Sequence, residues 1–394
     1  MTKLSIVIVA FNRPNSLERL LNSLNKLIIF NGEKIDLHIS IDRKRGDPNN
    51  DLTIELAEEF IWKYGEKIVD VKKENYGLKK HVIYCGNLTN KYDNIIVLED
   101  DLVVSPLMVQ YAKQAINFYS NDDSISGIGL YSFQRNPLNN YPFYPLNNGS
   151  DVYFMQYACS WGQLWSKAKW HHFYEWYELN KENDFMDNEK IPDYIKKWGS
   201  KSWLKYYTFY CILNNKFFVY PQNGFTTNFT ELGTHNFDNT NAYQCNMYFN
   251  NENVKFKFIE LNKALNIYDA YFENICLKKI MNYDSDIESD TYGSKLYFDN
   301  NKLLLSTKKY DYKILSSYSL KMYPVEHNLY YNIQGADLFL YDLSHKEKNK
   351  CKYDSYTLLK YYFKLDLLSS KNKIDLIKNN FIFLLHRLFR RGKK

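Results

Sequence analysis

The sequence predicts an α/β fold whose core is a mostly parallel, Rossmann-like sheet. Two apolar runs, Leu4–Ala10 and Ile95–Leu98, are continuous rather than alternating, which is typical of strands buried on both faces. Shorter runs at 35–41 and 67–71 lie between them, and helical spacing of apolar residues follows each run. Strands that alternate with helices in this way form right-handed βαβ units, and such units build a parallel sheet.

The helices between these strands have recognisable starts and apolar faces. The first is expected to begin at Asn15 or Ser16, since either residue is a suitable N-cap. The leucines that follow recur at helical spacing, at positions 17, 20, 21, 24 and 27. The second has an apolar face of Leu52, Leu56, Ala57 and Phe60. A third is expected to follow Asn75–Lys80.

The pattern changes after about residue 245, where short apolar runs and turns replace the long strands. Short strands are expected at 296–298, 302–306, 329–332 and 337–342. We therefore divide the chain into a main domain, a small β-containing extension and a helical, basic, amphipathic tail, at 1–245, 246–345 and 346–394.

Three consecutive acids, Glu99, Asp100 and Asp101, follow the second long aliphatic run. Ligands of open α/β sheets bind at the carboxyl ends of the strands, so these acids are expected to line that crevice. Neighbouring carboxylates repel one another, and a hard divalent cation such as Mg²⁺ or Mn²⁺ relieves this repulsion while it bridges to substrate phosphates. The alternative is a solvated acidic turn. The strands and helices around the triplet favour the cation site.

The segments around these acids resemble glycosyltransferases of the GT-A fold. Residues 5–14 are similar to the opening strand of that fold, and residues 97–106 are similar to its metal-binding Asp-x-Asp motif. The motif resembles in particular the Glu-Asp-Asp form of the animal alpha-1,3-mannosyl-glycoprotein beta-1,2-N-acetylglucosaminyltransferases and of related bacterial surface-glycan transferases. Residues 75–80 and 233–235 also resemble the bacterial members. The resemblance covers roughly the first 240 residues.

The resemblance implies how a nucleotide-sugar donor would be held. The loop that contains Ala10, Phe11 and Arg13, together with Asp42, would hold the base and ribose of the donor, which is expected to be a UDP-sugar. Asp101 would ligate Mn²⁺ or Mg²⁺ directly.

The same resemblance assigns supporting roles around the metal. Glu99 and Asp100 would orient the ribose and the water shell of the metal. A metal held on both phosphates acts as a Lewis acid and stabilises the charge on the departing diphosphate. Lys79 and Lys80 would add positive charge, although a solvated helix face explains either lysine equally well.

An inverting transfer also needs a general base that accepts the proton of the acceptor hydroxyl. In the animal enzymes it lies in a Trp-Asp-Asp-Trp run after a Gly-Trp turn, and residues 159–165 resemble that turn. Glu175, between Tyr and Trp, is the preferred base, with Glu178 and Asp193 as alternatives. The rival stretch Lys201–Leu204 ends in leucine where an acid is expected. The base, and the choice between inversion and retention, therefore stay open.

Two further residues are candidate ligand contacts. Trp161, beside Gly162, is assigned to an acceptor pocket, because indole covers the apolar face of a sugar while its N–H bonds a hydroxyl. His235 ends a turn-rich stretch and is a candidate metal or phosphate contact, with a structural histidine as the alternative. Core packing is the expected role of most of the neighbouring tryptophans, at 165, 170, 176, 198 and 203.

The segment 376–394 combines an apolar stripe with six Lys/Arg residues and no acid. The whole chain has a net charge of +6, so the remainder of the chain is neutral. A basic amphipathic helix suits an anionic membrane surface, and the apolar content of this one argues against nucleic acid as the partner. The alternative is a helix packed on its own domain with a frayed basic end.

The rest of the composition predicts a cytoplasmic location, peripheral to the membrane. The six cysteines show no paired spacing, which argues against a zinc site and a disulfide framework. The first strand begins at residue 4, so no signal peptide is expected, and no apolar run has the length of a membrane span.

These observations together predict a metal-dependent glycosyltransferase that acts on a glycan or a lipid-linked surface polysaccharide. A nucleotide-sugar pyrophosphorylase is a weaker alternative, because Phe11–Pro14 stands where such enzymes have a glycine-rich phosphate loop. A non-catalytic sugar-binding subunit of a membrane assembly is the alternative from another class, and the leucine at 204 supports it.

Overall fold

A computed structural model describes residues 3–229, 241–299, 302–349 and 355–372, together with 374 and 378. The strands are β1 Leu4–Ala10, β2 Asp36–Ile41, β3 Lys67–Val71, β4 Asn94–Glu99, β5 Leu102–Val104, β6 Ile125–Gly129, β7 Val152–Met155, β8 Gln163–Ser166, β9 Phe217–Pro221, β10 Thr226–Asn228, β11 Ile267–Tyr268, β12 Ile287–Asp290, β13 Leu303–Ser306, β14 Tyr312–Tyr318 and β15 Leu338–Lys346. The helices are α1 Pro14–Leu24, α2 Pro48–Glu59, α3 Gly77–Gly86, α4 Thr89–Tyr92, α5 Met108–Tyr119, α6 Lys167–Asn180, α7 Asp193–Lys196, α8 Trp203–Leu213, α9 Leu277–Met281, α10 Val325–Tyr330 and α11 Ser355–Phe363. Short 3₁₀ turns cover Phe30–Gly32, Leu261–Lys263 and Leu365–Leu367.

The largest sheet has nine strands in the order β11-β7-β9-β6-β8-β4-β1-β2-β3. Five of its eight strand pairings are parallel, including all three among β1 to β4. The prediction of a mixed α/β fold with a mostly parallel sheet is therefore confirmed. β1 is buried along its whole length, as its continuous aliphatic sequence predicts.

β8 is an antiparallel strand inserted between β4 and β6. It pairs with β4 through Ile95 opposite Trp165 and Val97 opposite Gln163. β4 is therefore covered by hydrogen bonds on both edges, although β8 comes much later in the chain. A separate two-stranded ribbon, β5 with β10, begins directly after the acidic triplet.

The helix α1 covers the sheet with its leucines, which are buried at the predicted spacing. The predicted N-cap, Asn15 or Ser16, is wrong. Arg13 is the N-cap and Pro14 is the first helical residue. Proline suits this position because its fixed φ is already helical and its missing N–H would have no partner there.

A second sheet of four strands, β12-β13-β15-β14, comes from the C-terminal part of the described chain. The strand predicted at 329–332 is wrong, because Leu329 and Tyr330 end α10. The strand predicted at 296–298 is also wrong, as no strand is assigned there. β14 was not predicted, because its half-exposed residues form no continuous apolar run.

The large sheet takes its edge strand β11 from beyond residue 245. The amphipathic segment 376–394 lies outside the described residues, apart from residue 378. Within the described part of the chain, no helix combines the length and the apolar character that a membrane crossing requires.

Candidate functional site

The ends of β4, β1 and β2 lie side by side at one edge of the large sheet, here called the carboxyl edge. Parallel pairing sets Val9 opposite Glu99 and Ala10 opposite Ile41. The backbone N–H of Asp42 donates to the Ala10 carbonyl at 2.9 Å. The acidic triplet, the loop after β1 and the loop after β2 therefore meet, as their places at strand ends predict.

Arg13 binds two acids of the triplet through its guanidinium group. One nitrogen, Nη1, donates to Asp101 Oδ2 at 3.0 Å, and Nη2 pairs with Asp100 Oδ1. Asp100 also accepts a hydrogen bond from the Phe11 N–H at 3.4 Å. The loop after β1 is thus attached to the triplet by both backbone and side chain.

The two oxygens of the Asp101 carboxylate differ in their surroundings. Oδ2 is held by Arg13, whereas Oδ1 is buried and receives no hydrogen bond from any described residue. A buried acceptor without a donor costs free energy, so this oxygen is suited to a bound cation. The backbone carbonyl of Asp101 accepts from the Phe229 N–H at 2.8 Å and fixes the residue at the start of the ribbon.

Burial disfavours ionisation of the other two acids. It raises the pKa of Glu99 to about 8, and the neighbouring Asp101 adds to this effect. Burial also raises the pKa of Asp100 to about 6, although Arg13 acts in the opposite direction. The side chain of Trp203, at the start of α8, acts against this rise in the pKa of Glu99. The sequence marked Trp203 as an aromatic residue of a rival stretch but gave no sign of this effect.

The carboxylate of Asp42 binds the backbone of the turn that precedes α3. It accepts from the N–H groups of Tyr76 and Gly77 at 2.8 and 2.9 Å. Gly77 has a φ of +70°, a left-handed conformation that glycine adopts without strain. The predicted segment 75–80 therefore reaches the carboxyl edge, and Asp42 fixes it there.

Asn50 joins the loops after β1 and β2, and sequence reasoning missed it. Its side-chain amide donates to the carbonyls of Phe11 at 2.6 Å and Asp42 at 2.9 Å. Its own carbonyl accepts from the Lys44 N–H at 2.9 Å, and the residue is fully buried. A single asparagine in the first turn of α2 carries no sequence signal for such a contact.

His81 lies behind the same edge, on α3. Its Nε2 is 2.8 Å from the hydroxyl of Ser40 on β2, and the residue is buried. Burial lowers its pKa to about 4, against a weaker opposite effect of Asp42. His81 is therefore a neutral packing and hydrogen-bonding residue near neutral pH.

Trp161 lies at the same end of the sheet as Glu99, two residues before β8 begins. Its carbonyl accepts from the Thr226 hydroxyl at 2.6 Å, and Gly162 adopts a φ of +91° against that threonine. The indole is partly exposed and contacts the rings of Tyr131 and Tyr243, at centroid distances of 4.7 and 5.5 Å. An aromatic surface of this kind is suited to the apolar face of a sugar.

The remaining sequence candidates make other contacts or lie outside the described residues. Lys79 lies over the ring of Tyr206 on α8, at 5.0 Å. Glu175 is exposed on α6, where it pairs with His171 one helical turn away. No contact among the described residues joins Glu175 to the triplet. The alternatives Glu178 and Asp193 pair with lysines three residues further on, and His235 lies outside the described residues.

The triplet suits a divalent cation that is bound by few protein ligands. Within the described ranges, no group of three or more His, Cys, Asp or Glu side chains is arranged to enclose a metal ion. Mg²⁺ and similar ions, however, are often held by one or two carboxylates, water and substrate phosphates rather than by a cage of protein ligands. Asp101 Oδ1, which is buried and accepts from no described residue, would suit the role of one such ligand.

No protein-family model and no curated protein matches this chain. Solved structures with some likeness include S. aureus TarS 1-349 in complex with UDP-GlcNAc, with 14% identity and a TM-score of 0.38 over 59% of this chain and 60% of that chain. Another is the mannosyltransferase PcManGT from Pyrobaculum calidifontis in complex with GDP-Man and Mn²⁺, with 10% identity and a TM-score of 0.32 over 45% of this chain and 46% of that chain. The chain thus spans less than two thirds of either structure. Likeness at this level carries no argument about function.

Proposed function

We propose that this protein is a metal-dependent glycosyltransferase of the GT-A type, which moves a sugar from a nucleotide donor to a glycan acceptor. The observation that carries the proposal is the buried Oδ1 of Asp101, which receives no hydrogen bond from a described residue and lies at the carboxyl end of a central strand. The resemblance of the Glu-Asp-Asp segment to the motif of that fold supports the same reading. The animal family in particular rests on that sequence resemblance alone.

Different residues at the carboxyl edge would bind the metal and the nucleotide. Asp101 would hold Mn²⁺ or Mg²⁺ through Oδ1, with Asp100 beside it. Ala10, Phe11, Arg13 and Asp42 lie on the two adjoining loops and would hold the base and ribose of a UDP-sugar. When bound, the metal supplies positive charge that stabilises the leaving diphosphate.

On the acceptor side, Trp161 is the proposed sugar platform, because its partly exposed indole lies at the same edge as the triplet. Lys79 and His235 stay predictions as phosphate or metal contacts. The proposed acceptor is a glycan or a lipid-linked surface polysaccharide at the cytoplasmic face of a membrane, with 376–394 as the membrane contact. The charge and apolar stripe of that segment support this part of the proposal.

Glu175 stays a prediction as the general base of an inverting transfer. If it accepts the acceptor proton, E175Q slows transfer by at least about a hundredfold and leaves nucleotide binding unchanged. E182Q is the matched control, because Glu182 is an exposed acid just beyond the end of the same helix and has no assigned role. Equal transfer rates in E175Q and the wild type would remove Glu175 from the mechanism.

A thermal-shift screen of nucleotide sugars, with and without Mn²⁺, tests the proposed function. We expect one donor class to raise the melting temperature with Mn²⁺ present, and the same donor to be hydrolysed slowly without acceptor. Ligands that bind only the folded state stabilise it by an amount that grows with the logarithm of ligand concentration over Kd, so at one concentration a tighter donor gives a larger shift. Failure of every nucleotide sugar to bind would overturn the proposal.

A non-catalytic sugar-binding subunit is the second candidate function. Leucine at 204, where an acid is expected, and the exposed position of Glu175 favour it. Donor hydrolysis separates the two functions, since a binding subunit shows a thermal shift without turnover.

A further inference from the structure

The guanidinium group of Arg13 lies where positive charge at the triplet is needed. It spans two carboxylates, with one nitrogen on Asp100 and the other on Asp101. Arg13 is fixed at this place by the chain itself, because it is the N-cap of α1 and Pro14 follows it. About a third of its side chain stays exposed, at 32%, so the guanidinium has a way out to solvent.

The electrostatic attraction between Arg13 and the two carboxylates is strong. Burial alone lowers the pKa of Arg13, but the carboxylates of Asp100 and Asp101 outweigh burial and raise it above its usual value. Charge-assisted bonds from a guanidinium fork are among the strongest that a carboxylate makes. Arg13 engages only one carboxylate oxygen of Asp101, and no residue in the described ranges donates to the other.

We propose that Arg13 is the resident counter-ion of Asp101 and that it competes with the divalent cation for this carboxylate. Two cations on one carboxylate repel each other, so each weakens the binding of the other by the same factor. Metal binding therefore loosens the guanidinium, which becomes available to an anion at the carboxyl edge. The step exchanges one ion pair for another and breaks no covalent bond.

The competition links the metal to the donor, and this part of the inference rests on the proposed function. A diphosphate is a bidentate partner for a guanidinium group. This inference gives Arg13 a diphosphate contact in place of the base and ribose contact that the resemblance implies. A donor that binds Arg13 in this way would remove the competitor from Asp101. Metal and nucleotide would then each strengthen the binding of the other, in addition to the effect of the direct contact between the metal and the diphosphate.

Mn²⁺ binding in the absence of nucleotide tests the competition directly. We compare the wild type, R13Q and R45Q by calorimetry with Mn²⁺ alone. Arg45 is an exposed arginine in the loop after β2, so R45Q makes the same change in net charge at the same edge. We expect R13Q to bind Mn²⁺ about tenfold more tightly than the wild type, a typical size for coupling between two sites. R45Q should match the wild type. Mn²⁺ affinity in R13Q that is equal to the wild type or weaker, or the lack of Mn²⁺ binding in all three proteins, overturns the proposal.

A measurement on the wild type covers the case in which R13Q does not fold. Phenylglyoxal modifies free guanidinium groups, and mass spectrometry gives the rate at each arginine. We expect saturating Mn²⁺ to speed modification of Arg13 and to leave Arg45 unchanged. A rate at Arg13 that Mn²⁺ leaves unchanged or slows contradicts the proposal.

The proposed function fails by a different result, namely the absence of nucleotide-sugar binding and hydrolysis in the wild type. If donors bind and are hydrolysed while Mn²⁺ shows no preference for R13Q, the counter-ion role alone is rejected.

Discussion

In the buried carboxylate of Asp101, one oxygen is bonded to Arg13 and the other accepts from none of the residues that the structure describes. Its neighbours Glu99 and Asp100 have raised pKa values because burial opposes their charge. At the scale of single residues, the candidate site is thus a place where negative charge is concentrated and only partly compensated. Such places are common at functional sites, because a purely structural role gains nothing from the uncompensated charge.

We expect D101N to lose Mn²⁺ binding by more than about tenfold, a loss that even outer-shell substitutions around metals produce. The amide keeps the shape of the side chain but lacks the charge that a hard cation needs. Sugar transfer should fall by at least about a hundredfold while circular dichroism shows a native fold. D51N is the control, since Asp51 is exposed and pairs with Arg43. Wild-type turnover in D101N would remove Asp101 from the site.

His81 should make the stability of the protein depend on pH. Its pKa is about 4 in the folded chain and 6.5 in an unfolded one, so between these values the unfolded state binds more protons. The free energy of unfolding should therefore rise with pH from about 4 to 6.5, by at most about 3 kcal/mol from this residue, and then level off.

Urea unfolding at several pH values measures this slope. H81Q keeps a hydrogen-bonding side chain near Ser40 but does not titrate, so the slope should become shallower. H172Q is the control, because His172 is an exposed histidine on α6. An undiminished slope in H81Q would assign the titration to other groups.

At the scale of elements, α3 packs closely against α6 at the end of α3 that lies away from the carboxyl edge. The Trp170 indole lies against Gly86 and donates to Asn87 Oδ1 at 2.8 Å. A Cβ at Gly86 would lie 2.0 to 2.4 Å from that ring, far inside van der Waals contact. The close contact between Gly86 and the Trp170 ring therefore fixes the position of α3 relative to α6.

G86A should destabilise the protein. Overpacking of this kind costs about 1–3 kcal/mol, which exceeds or offsets the gain of about 1 kcal/mol from replacing glycine by alanine in a helix. The matched control is G199A, where a new Cβ meets no atom within 4 Å. Urea unfolding should show a lower free energy of unfolding for G86A than for G199A. The reverse order would mean that the Trp170 ring moves freely.

The sequence predicts elements well where one run of residues contains the whole signal. Leu4–Ala10 and Asn94–Glu99 are continuous apolar strands, and their order fixes the triplet, Asp42 and the loop after β1 at one edge. The sequence does not predict contacts between residues that are far apart along the chain. Asn50, Trp203 and the pairing of Arg13 with two acids depend on residues that the fold alone brings together, and no local pattern encodes them.

At the scale of the whole molecule, charge is unevenly distributed along the chain. All of the net charge of +6 is accounted for by the six Lys/Arg residues of 376–394, which contains no acid. The catalytic proposal and the membrane proposal therefore concern separate parts of the sequence. Each part is testable without the other.

Removal of residues 376–394 should release the protein from anionic liposomes, with little loss of activity on a soluble acceptor. Each Lys or Arg near an anionic surface contributes about 1 kcal/mol, and burial of large apolar side chains adds to this. High salt should weaken the attachment of the intact chain without abolishing it, because salt screens only the charges. Neutral liposomes are the control. Unfolding or aggregation of the shortened chain would mean that the stripe belongs to the core.

The insertion of β8 beside β4 also has a consequence for synthesis on the ribosome. β4 is complete at residue 99, but its second edge is paired only when Gln163–Ser166 has emerged. During that interval a growing chain exposes the free hydrogen-bonding groups of an apolar strand, and such edges attract other chains. Nascent chains that stall between these two points should depend on chaperones, whereas chains that have passed residue 166 should need them less.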